Sequence, residues 1–277
     1  MTAAPPAVFP WGPALLFCPA DRPDRYAKAL ERADAVILDL EDAVDPSRRG
    51  VAREAIVASD LDPARVIVRV NSSGTDDQAA DLAAIDRTPY RAVMLPKAEG
   101  VGDLAALGGL EMIALCETAA GVRAAGELAS ADGVVALMWG AEDLVASLGG
   151  TSSRHADGRY RDVAMHARSE VLLAAGAAGR SAIDTVHLDI ADLAGLAVEA
   201  EDAAAVGFAA TACIHPSQVE TVRQAYLPTD EQIQEAVELL AAADAAGGGV
   251  FRHRGRMVDG PVVAHARAVL RRASPTL

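Results

Sequence analysis

Eight short apolar runs alternate with eight longer amphipathic stretches between residues 14 and 226 of this 277-residue chain. Each run spans about five to seven residues, is rich in Val, Ile and Leu, and ends at a polar residue or glycine, as strands buried on both faces do. The predicted strands cover 14–18, 35–41, 65–70, 92–96, 112–116, 134–139, 182–187 and 209–214. The predicted helices lie near 24–33, 47–58, 76–86, 101–109, 119–130, 161–178, 192–206 and 216–226. This alternation predicts an α/β fold, a (β/α)₈ TIM barrel; a doubly wound open sheet fits less well, because it rarely needs eight repeats.

The same pattern divides the chain into three predicted segments. Residues 1–13 are rich in Pro and Ala and lack the basic region of a signal peptide, which predicts a flexible N-terminal tail. Residues 14–228 form the predicted barrel catalytic domain. Residues 229–277 form a predicted C-terminal helical extension. Because the eight strand–helix repeats of the barrel are already complete before it, we expect the extension to pack on a neighbouring subunit.

Composition excludes several classes of protein. The net charge of −14 argues against a general nucleic-acid binder, which needs a basic face. No apolar stretch is long enough to span a bilayer. Cys18, Cys116 and Cys213 are odd in number, widely spaced and set within apolar runs, which predicts buried reduced thiols in a cytoplasmic protein.

Charged side chains follow several of the predicted strands. Glu117 comes directly after the run 112–116, Asp143 follows 134–139, and Arg69 ends the third strand. The carboxyl ends of parallel barrel strands meet at one rim, where ligands bind. Two carboxylates at that rim predict a Mg²⁺ site, to which an α-keto acid could add its own oxygens. Arg69 could then bind a carboxylate or stabilise a developing enolate oxygen.

Other polar residues near the strand ends leave alternatives open. Glu41 and Asp42 suit a solvated loop or a supporting contact as well as direct metal ligation. Lys97 suits an ion pair with one of these acids, and acids around it would keep it protonated, which argues against a Schiff-base aldolase. His187 and His215 are predicted to be hydrogen-bonded strand-end histidines rather than general bases.

Motifs of several common enzyme classes are missing from the sequence. No Gly-x-Gly-x-x-Gly follows a strand, and neither a phosphate-binding Gly-x-x-x-x-Gly-Lys-Ser/Thr loop nor a Gly-x-Ser-x-Gly elbow occurs. Cys116 precedes Glu117 but faces the other side of the strand, so we expect no nucleophile there.

Eight short motifs occur together in a characteristic order. They are Leu16-Phe-Cys-Pro19, Ile37-Leu-Asp-Leu-Glu-Asp42, Val68-Arg-Val-Asn71, Met94-Leu-Pro-Lys97, Ala114-Leu-Cys-Glu-Thr118, Gly140-Ala-Glu-Asp-Leu144, Cys213-Ile-His-Pro216 and Gly255-Arg-Met-Val-Asp259. In this combination the chain resembles the citrate lyase β-subunit-like proteins. That group belongs to a wider superfamily of citrate lyases, malyl-CoA lyases and Mg²⁺-dependent aldolases. The resemblance covers residues 14–270.

The resemblance implies roles for residues at the barrel rim and in the extension. It implies Mg²⁺ on Glu117 and Asp143, with Glu117 also touching substrate. It implies that Arg69 is catalytic and binds substrate. Asp259, in the extension, would serve the site of an adjacent subunit as a general acid/base.

The resemblance also implies a CoA site and an oligomer. CoA would lie near Phe17, Arg22 and Lys28, and Pro216 would touch its arm. The extension would reach a neighbouring protomer in a homotrimer or hexamer.

The activity implied is that of a Mg²⁺-dependent carbon–carbon lyase. It would cleave or form a β-hydroxyacyl-CoA, such as citryl-CoA, citramalyl-CoA or malyl-CoA, giving an acyl-CoA and an α-keto acid: oxaloacetate, pyruvate or glyoxylate. Two alternatives remain open at this point. The chain could be the β subunit of a multi-subunit citrate lyase that is inactive without partners, or an aldolase that acts on a free hydroxy-keto acid.

Overall fold

The computed structural model describes residues 9–247 and 249–273, which form two compact units that divide between Val222 and Arg223. In the first unit eight parallel strands pair in sequence order, and the eighth pairs with the first, so that the sheet closes. The strands are β1 Ala14–Pro19, β2 Ala35–Asp39, β3 Val66–Arg69, β4 Ala92–Leu95, β5 Glu111–Cys116, β6 Val134–Trp139, β7 Ser181–Asp184 and β8 Ala210–Cys213. The predicted (β/α)₈ barrel is therefore confirmed, as are helices after it.

Helices or helical turns connect successive strands. The α-helices are α1 Pro23–Arg32, α2 Arg49–Val57, α3 Asp76–Ile85, α4 Ala119–Ser130, α5 Ala141–Ser147, α6 Asp162–Ala177, α7 Leu193–Val206, α8 Pro216–Tyr226, α9 Asp230–Ala245 and α10 Gly260–Ala273. Short 3₁₀ helices cover Pro46–Arg48, Pro63–Arg65 and Val101–Leu107. No helix in the described part of the chain is long and apolar enough to cross a membrane.

Inward-facing aliphatic side chains fill the barrel. Alternate residues of each strand point inward, so that Leu15, Ile37, Ile67 and Met94 belong to one buried cluster with side chains of the other strands. Trp11 joins this cluster, is 4 % exposed, and donates its indole N–H to the carbonyl oxygen of Ala64 at 3.0 Å. Of the predicted N-terminal tail, residues 1–8 lie outside the described part, whereas Trp11 packs into the fold.

Several local features differ from the sequence prediction, among them the end of β7, which lies at Asp184 rather than at residue 187. β2 ends at Asp39 rather than at residue 41, because the Asp39 carboxylate accepts the main-chain N–H groups of Glu41 and Ala43 and turns the chain. Residues 101–109 were predicted as a helix, but they form a 3₁₀ helix, Val101–Leu107, which two glycines follow. Helix α5 was not predicted, since its seven residues are too few to show a period.

The second unit contains two helices and a hairpin. Strands β9 Phe251–His253 and β10 Arg256–Val258 pair antiparallel, and α9 packs on α10. Arg254, in the hairpin turn, pairs with Glu235 and Glu238 of α9. The predicted helical character of the extension is confirmed by α9 and α10.

Candidate active site

A cavity of about 380 Å³ opens at the carboxyl ends of the barrel strands. Five of the residues singled out from the sequence line it: Phe17, Asp42, Arg69, Glu117 and Asp143. They come from the ends of different strands and from α5, so they meet only because the barrel closes.

Arg69 is held in place by two carboxylates from the neighbouring strand end. Asp39 and Arg69 are register partners on β2 and β3, and their side chains form a forked pair, with Nε–Oδ1 at 2.7 Å and Nη2–Oδ2 at 2.6 Å. The third nitrogen, Nη1, lies 3.1 Å from Oε2 of Glu41. Burial opposes the charge of Arg69, but these acids outweigh it and raise its pKa. The guanidinium, 4.9 Å from the Phe17 ring centroid, is thus a fixed positive charge in the cavity wall.

Asp39 was not among the residues selected from the sequence. Its partnership with Arg69 follows from the register, since neighbouring parallel strands that end at the same level place their last side chains on one side. An aspartate that ends one strand beside an arginine that ends the next is the signal that could have revealed this pair.

Glu117 is the most confined carboxylate of the cavity. It leaves β5 just before Thr118, whose hydroxyl caps α4 by accepting the N–H of Gly121. The side chain is buried, and its Oε1 accepts the main-chain N–H of Lys97 at 3.1 Å. Burial first, and then the carboxylates of Asp143 and Glu41, raise the pKa of Glu117 to about 8. Lys97 and Arg69 lower this pKa by less than burial and the two acids raise it, so an added cation would favour the charged form of Glu117.

Asp143 approaches the same space from α5. The residue lies in the first turn of that helix, where a negative charge is favourable, and its side chain is 41 % exposed. The nearest cation is the ammonium of Lys97, whose Nζ lies 3.9 Å from Oδ1 of Asp143. Asp143 is therefore accessible to a ligand in the cavity, whereas Glu117 is a buried residue of the cavity wall.

Lys97 pairs with the acids that follow β2. Its ammonium pairs with Glu41 and lies 3.8 Å from Asp42. Burial opposes the charge of Lys97, but the hydrogen bond with Glu41 outweighs it, so the pKa of Lys97 is raised and the amine stays protonated. The predicted ion pair is confirmed, and Glu41, bound to both Arg69 and Lys97, is a supporting residue.

Within residues 9–247 and 249–273, no group of three or more His, Cys, Asp and Glu side chains is arranged to hold a metal ion. A cation held by Glu117 and Asp143 would take its other ligands from water and substrate, as Mg²⁺ commonly does.

Four other predicted residues lie outside the lining of this cavity. Arg22 precedes α1 directly and pairs with Asp24, and Lys28 is exposed on the same helix. Pro216 begins α8, and Asp259 lies in the second unit, between β10 and α10, where it accepts the N–H of Val262 at 3.4 Å.

Both histidines make the hydrogen bonds that the sequence analysis predicted, although His187 lies beyond the end of β7, at Asp184. His187 Nδ1 lies 2.9 Å from Oε2 of Glu199, which raises the pKa of His187. His215 Nδ1 lies 2.8 Å from the hydroxyl of Ser217. Both rings have local hydrogen-bond partners, and neither lines the 380 Å³ cavity.

Cys18 and Cys116 are buried, as predicted. Burial raises the pKa of Cys18 to about 11 and that of Cys116 to about 12, so neither thiol is a nucleophile near neutral pH.

The closed barrel and the charged rim are typical of TIM-barrel enzymes, whose active sites lie at the carboxyl ends of the strands. The family model described as HpcH/HpaI aldolase/citrate lyase matches residues 14–216, and the chain belongs to this family. It is accordingly a carbon–carbon lyase.

Several similar proteins, some of them with solved structures, align with nearly the whole chain. A citrate lyase subunit beta-like protein of Mycobacterium tuberculosis is 56 % identical over 262 residues, which are 95 % of this chain and 96 % of the relative. The mitochondrial citramalyl-CoA lyase of Mus musculus is 31 % identical over 290 residues, which are 93 % of this chain and 84 % of that lyase. The crystal structure of CitE from Mycobacterium tuberculosis in complex with magnesium, acetoacetate and coenzyme A superposes with a TM-score of 0.92 at 56 % identity, over 95 % of this chain and 98 % of that one.

Proposed function

We propose that this protein is a Mg²⁺-dependent lyase that cleaves a β-hydroxyacyl-CoA to an acyl-CoA and an α-keto acid. The observation that carries the proposal is the pair of carboxylates, Glu117 and Asp143, in one cavity with the fixed guanidinium of Arg69. The relative crystallised with magnesium, acetoacetate and coenzyme A supports the same chemistry.

The residues at the rim fit a magnesium ion. Carboxylate oxygens are its preferred protein ligands, and one or two of them suffice when substrate and water complete the octahedron. The surroundings of Glu117 disfavour its charged form, as the raised pKa shows, and a dication between Glu117 and Asp143 would relieve that cost. Bound there, the metal would act as a Lewis acid that stabilises negative charge on the hydroxyl or keto oxygen of the substrate.

The residues of the chain would supply the remaining steps. In cleavage, the bond between the hydroxyl-bearing carbon and the thioester α carbon breaks, and its electron pair moves to the α carbon side. Arg69, fixed by Asp39 and Glu41, would stabilise the negative charge that develops there. As a general acid/base, Asp259 of an adjacent subunit would accept the proton of the substrate hydroxyl, whose oxygen becomes the keto oxygen, and return a proton to the α carbon.

The cavity wall favours a small uncharged substituent on the keto acid. Away from the acids it is formed by Leu115, Met138, Val186 and Ile214. Among the described residues that line it, Arg69 is the only basic side chain, and Asp39 and Glu41 already engage it. A second substrate carboxylate would therefore find no guanidinium in the cavity wall that is free to pair with it. We accordingly favour citramalyl-CoA or malyl-CoA, with pyruvate or glyoxylate as the keto acid, over citryl-CoA.

The proposed CoA site uses the start of α1. Arg22 and Lys28 are partly or fully exposed cations there, suited to the phosphates of CoA, and Phe17, which precedes them in sequence, lines the cavity. Pro216, at the start of α8, would touch the pantetheine arm.

A homotrimer or hexamer is proposed as the assembly, with the extension packed on a neighbouring protomer. The second unit of the chain exposes large apolar side chains, including Val250 and Met257, which are 68 % and 69 % exposed. Apolar residues so exposed support burial against a partner. The cytoplasmic location stays a prediction.

Replacement of each proposed ligand tests the function. We expect Glu117→Gln and Asp143→Asn to lower kcat for citramalyl-CoA and malyl-CoA cleavage by at least about a hundredfold, because each removes a charge that holds the cation. The measurement is release of keto acid by the purified chain, with circular dichroism to confirm folding. Glu127→Gln, on the exposed face of α4, is the matched control and should leave kcat unchanged.

Retained turnover of citramalyl-CoA, malyl-CoA and citryl-CoA by both variants would overturn the proposal. Cleavage by the purified chain alone would reject a subunit that needs partners, and saturation by a free hydroxy-keto acid without CoA would favour the aldolase alternative.

A further inference from the structure

Lys97 has a backbone conformation that residues with side chains rarely adopt. Its φ is 50°, and in the described part of the chain Arg254, with φ 45°, is the only other non-glycine residue at positive φ. The left-handed region costs such residues about 1 kcal/mol or more, so it persists where surrounding contacts fix it. Lys97 is also one of two lysines among the chain's 25 Lys and Arg residues.

The left-handed turn directs the main-chain N–H of Lys97 to Glu117. The N–H donates to Oε1 at 3.1 Å, and the next N–H, of Ala98, donates to the carbonyl of Leu115 at 3.2 Å. The turn after β4 is therefore attached to the end of β5, and it fixes one oxygen of the Glu117 carboxylate. The other oxygen lies against Gly140.

The side chain of the same residue reaches the other acids of the rim. Its ammonium pairs with Glu41 and lies 3.8 Å from Asp42 and 3.9 Å from Asp143. A lysine ammonium is a compact point charge. An arginine at this position could bind a carboxylate through two nitrogens, and both oxygens of that carboxylate would then be occupied. Lys97 thus contacts Glu117 through its main chain and adjoins Asp143 through its side chain.

We propose that Lys97 sets the affinity of this site for its divalent cation, through two opposed effects of one residue. The main-chain amide holds Glu117 in the geometry that binds the cation and so strengthens binding. The ammonium reduces the negative potential around Asp143 and so weakens binding. Lys97 is a positioning residue in this account, and the account rests on the metal site proposed above.

The two effects separate by the choice of substitution. Lys97→Gly removes the ammonium but keeps the left-handed turn, because glycine adopts positive φ freely. Lys97→Asn does the same with less added flexibility, since asparagine tolerates this region. Lys97→Val also removes the ammonium, but a β-branched residue disfavours the turn and displaces the amide from Glu117.

The experiment measures Mn²⁺ binding to the full chain by electron paramagnetic resonance, without substrate, because oxygen sites that take Mg²⁺ also take Mn²⁺. For Lys97→Gly and Lys97→Asn we expect Mn²⁺ to bind about three- to tenfold more tightly than to the unmodified protein, since a positive charge about 4 Å from Asp143 is gone. For Lys97→Val we expect binding about tenfold weaker than for Lys97→Gly.

Arg254→Gly is the matched control. It also removes a cation at a left-handed position, but in the second unit, where Arg254 pairs with Glu238, and it should not change Mn²⁺ affinity.

The outcomes distinguish this inference from the function on which it rests. Equal affinities for Lys97→Gly, Lys97→Val and the unmodified protein would overturn the role of Lys97 if Glu117→Gln still abolishes binding. Mn²⁺ binding that Glu117→Gln and Asp143→Asn leave intact would overturn the metal site and the inference together. If Lys97→Val does not fold, the gain in affinity expected for Lys97→Gly and Lys97→Asn decides the result.

Discussion

Gly140 lies against the carboxylate of Glu117 at the start of α5. A Cβ atom at this position would be 2.9 Å from both Cβ and Oε2 of Glu117, which is closer than side-chain atoms pack. The backbone of Gly140 is extended, at φ −133° and ψ 124°, so alanine could adopt it. The glycine is thus needed for space beside Glu117 rather than for backbone freedom.

Gly140→Ala should therefore damage the site more than the fold. We expect the added methyl to displace Glu117 and lower kcat by at least about tenfold, with a loss of about 1–3 kcal/mol in unfolding free energy. Steady-state kinetics and urea unfolding measure the two effects. Gly126→Ala, in α4 where nothing lies within 4 Å, should keep full activity and raise stability slightly. Full activity of Gly140→Ala would show that Glu117 needs no such space.

The long connection between α5 and α6 is attached to the barrel by a network of charges. Arg154 stacks 3.7 Å from the Tyr160 ring centroid and pairs with Glu199 of α7. Glu199 also binds His187, in the connection after β7, and Ser153 binds Glu142 of α5. These groups line a second cavity of about 940 Å³. Through the contact between Ser153 and Glu142, the network ties this connection to α5, the helix that carries Asp143.

The pair between His187 and Glu199 should make stability depend on pH. The folded pKa of His187 is raised by Glu199, so the stabilisation is complete below about pH 6.5, the ordinary value, and is lost as pH rises through the folded value. We expect His187→Gln to cost about 1–2 kcal/mol at pH 5.5 and clearly less at pH 8.5. Thermal unfolding of both proteins across this range is the measurement. His155→Gln, at an exposed position in the connection between α5 and α6, serves as the control. A cost that is the same at both pH values would contradict the charged pair.

The two units of the chain hold different parts of the proposed mechanism. Arg69, Glu117 and Asp143 belong to the barrel, whereas Asp259 lies in the second unit. If Asp259 serves an adjacent subunit, each active site combines residues of two protomers, as closed symmetric oligomers permit.

Co-expression of two inactive variants tests this arrangement. Glu117→Gln and Asp259→Asn should each be inactive alone, whereas random mixed oligomers should recover up to about a quarter of the unmodified activity, because one site in four receives both intact residues. Cleavage assays on the purified mixture, with light scattering for oligomer size, provide the measurement. The Glu117→Gln/Asp259→Asn double variant, co-expressed with Glu117→Gln, should recover nothing. Absence of recovery in mixed oligomers, or full activity of Asp259→Asn, would show that Asp259 does not act between subunits.

The barrel was readable from the sequence because strand burial is a local property. Runs such as 112–116 and 134–139 are apolar at every position, and their polar ends mark the rim of a parallel sheet, so the sequence alone was enough to select Glu117, Asp143 and Arg69. Helix α5 escaped the prediction because it is short, and the 3₁₀ helix Val101–Leu107 resembles an α-helix in composition.

The sequence by itself determined the fold class and was enough to select Arg69, Glu117 and Asp143 at the strand ends, since hydrophobic periodicity and strand ends need only neighbouring residues. Tertiary structure decided how these groups pair. The register of β2 and β3 joins Asp39 to Arg69, and the left-handed turn at Lys97 directs its amide to Glu117. Both contacts connect residues at least 20 positions apart, and their geometry depends on the closed path of the backbone, which no local pattern encodes.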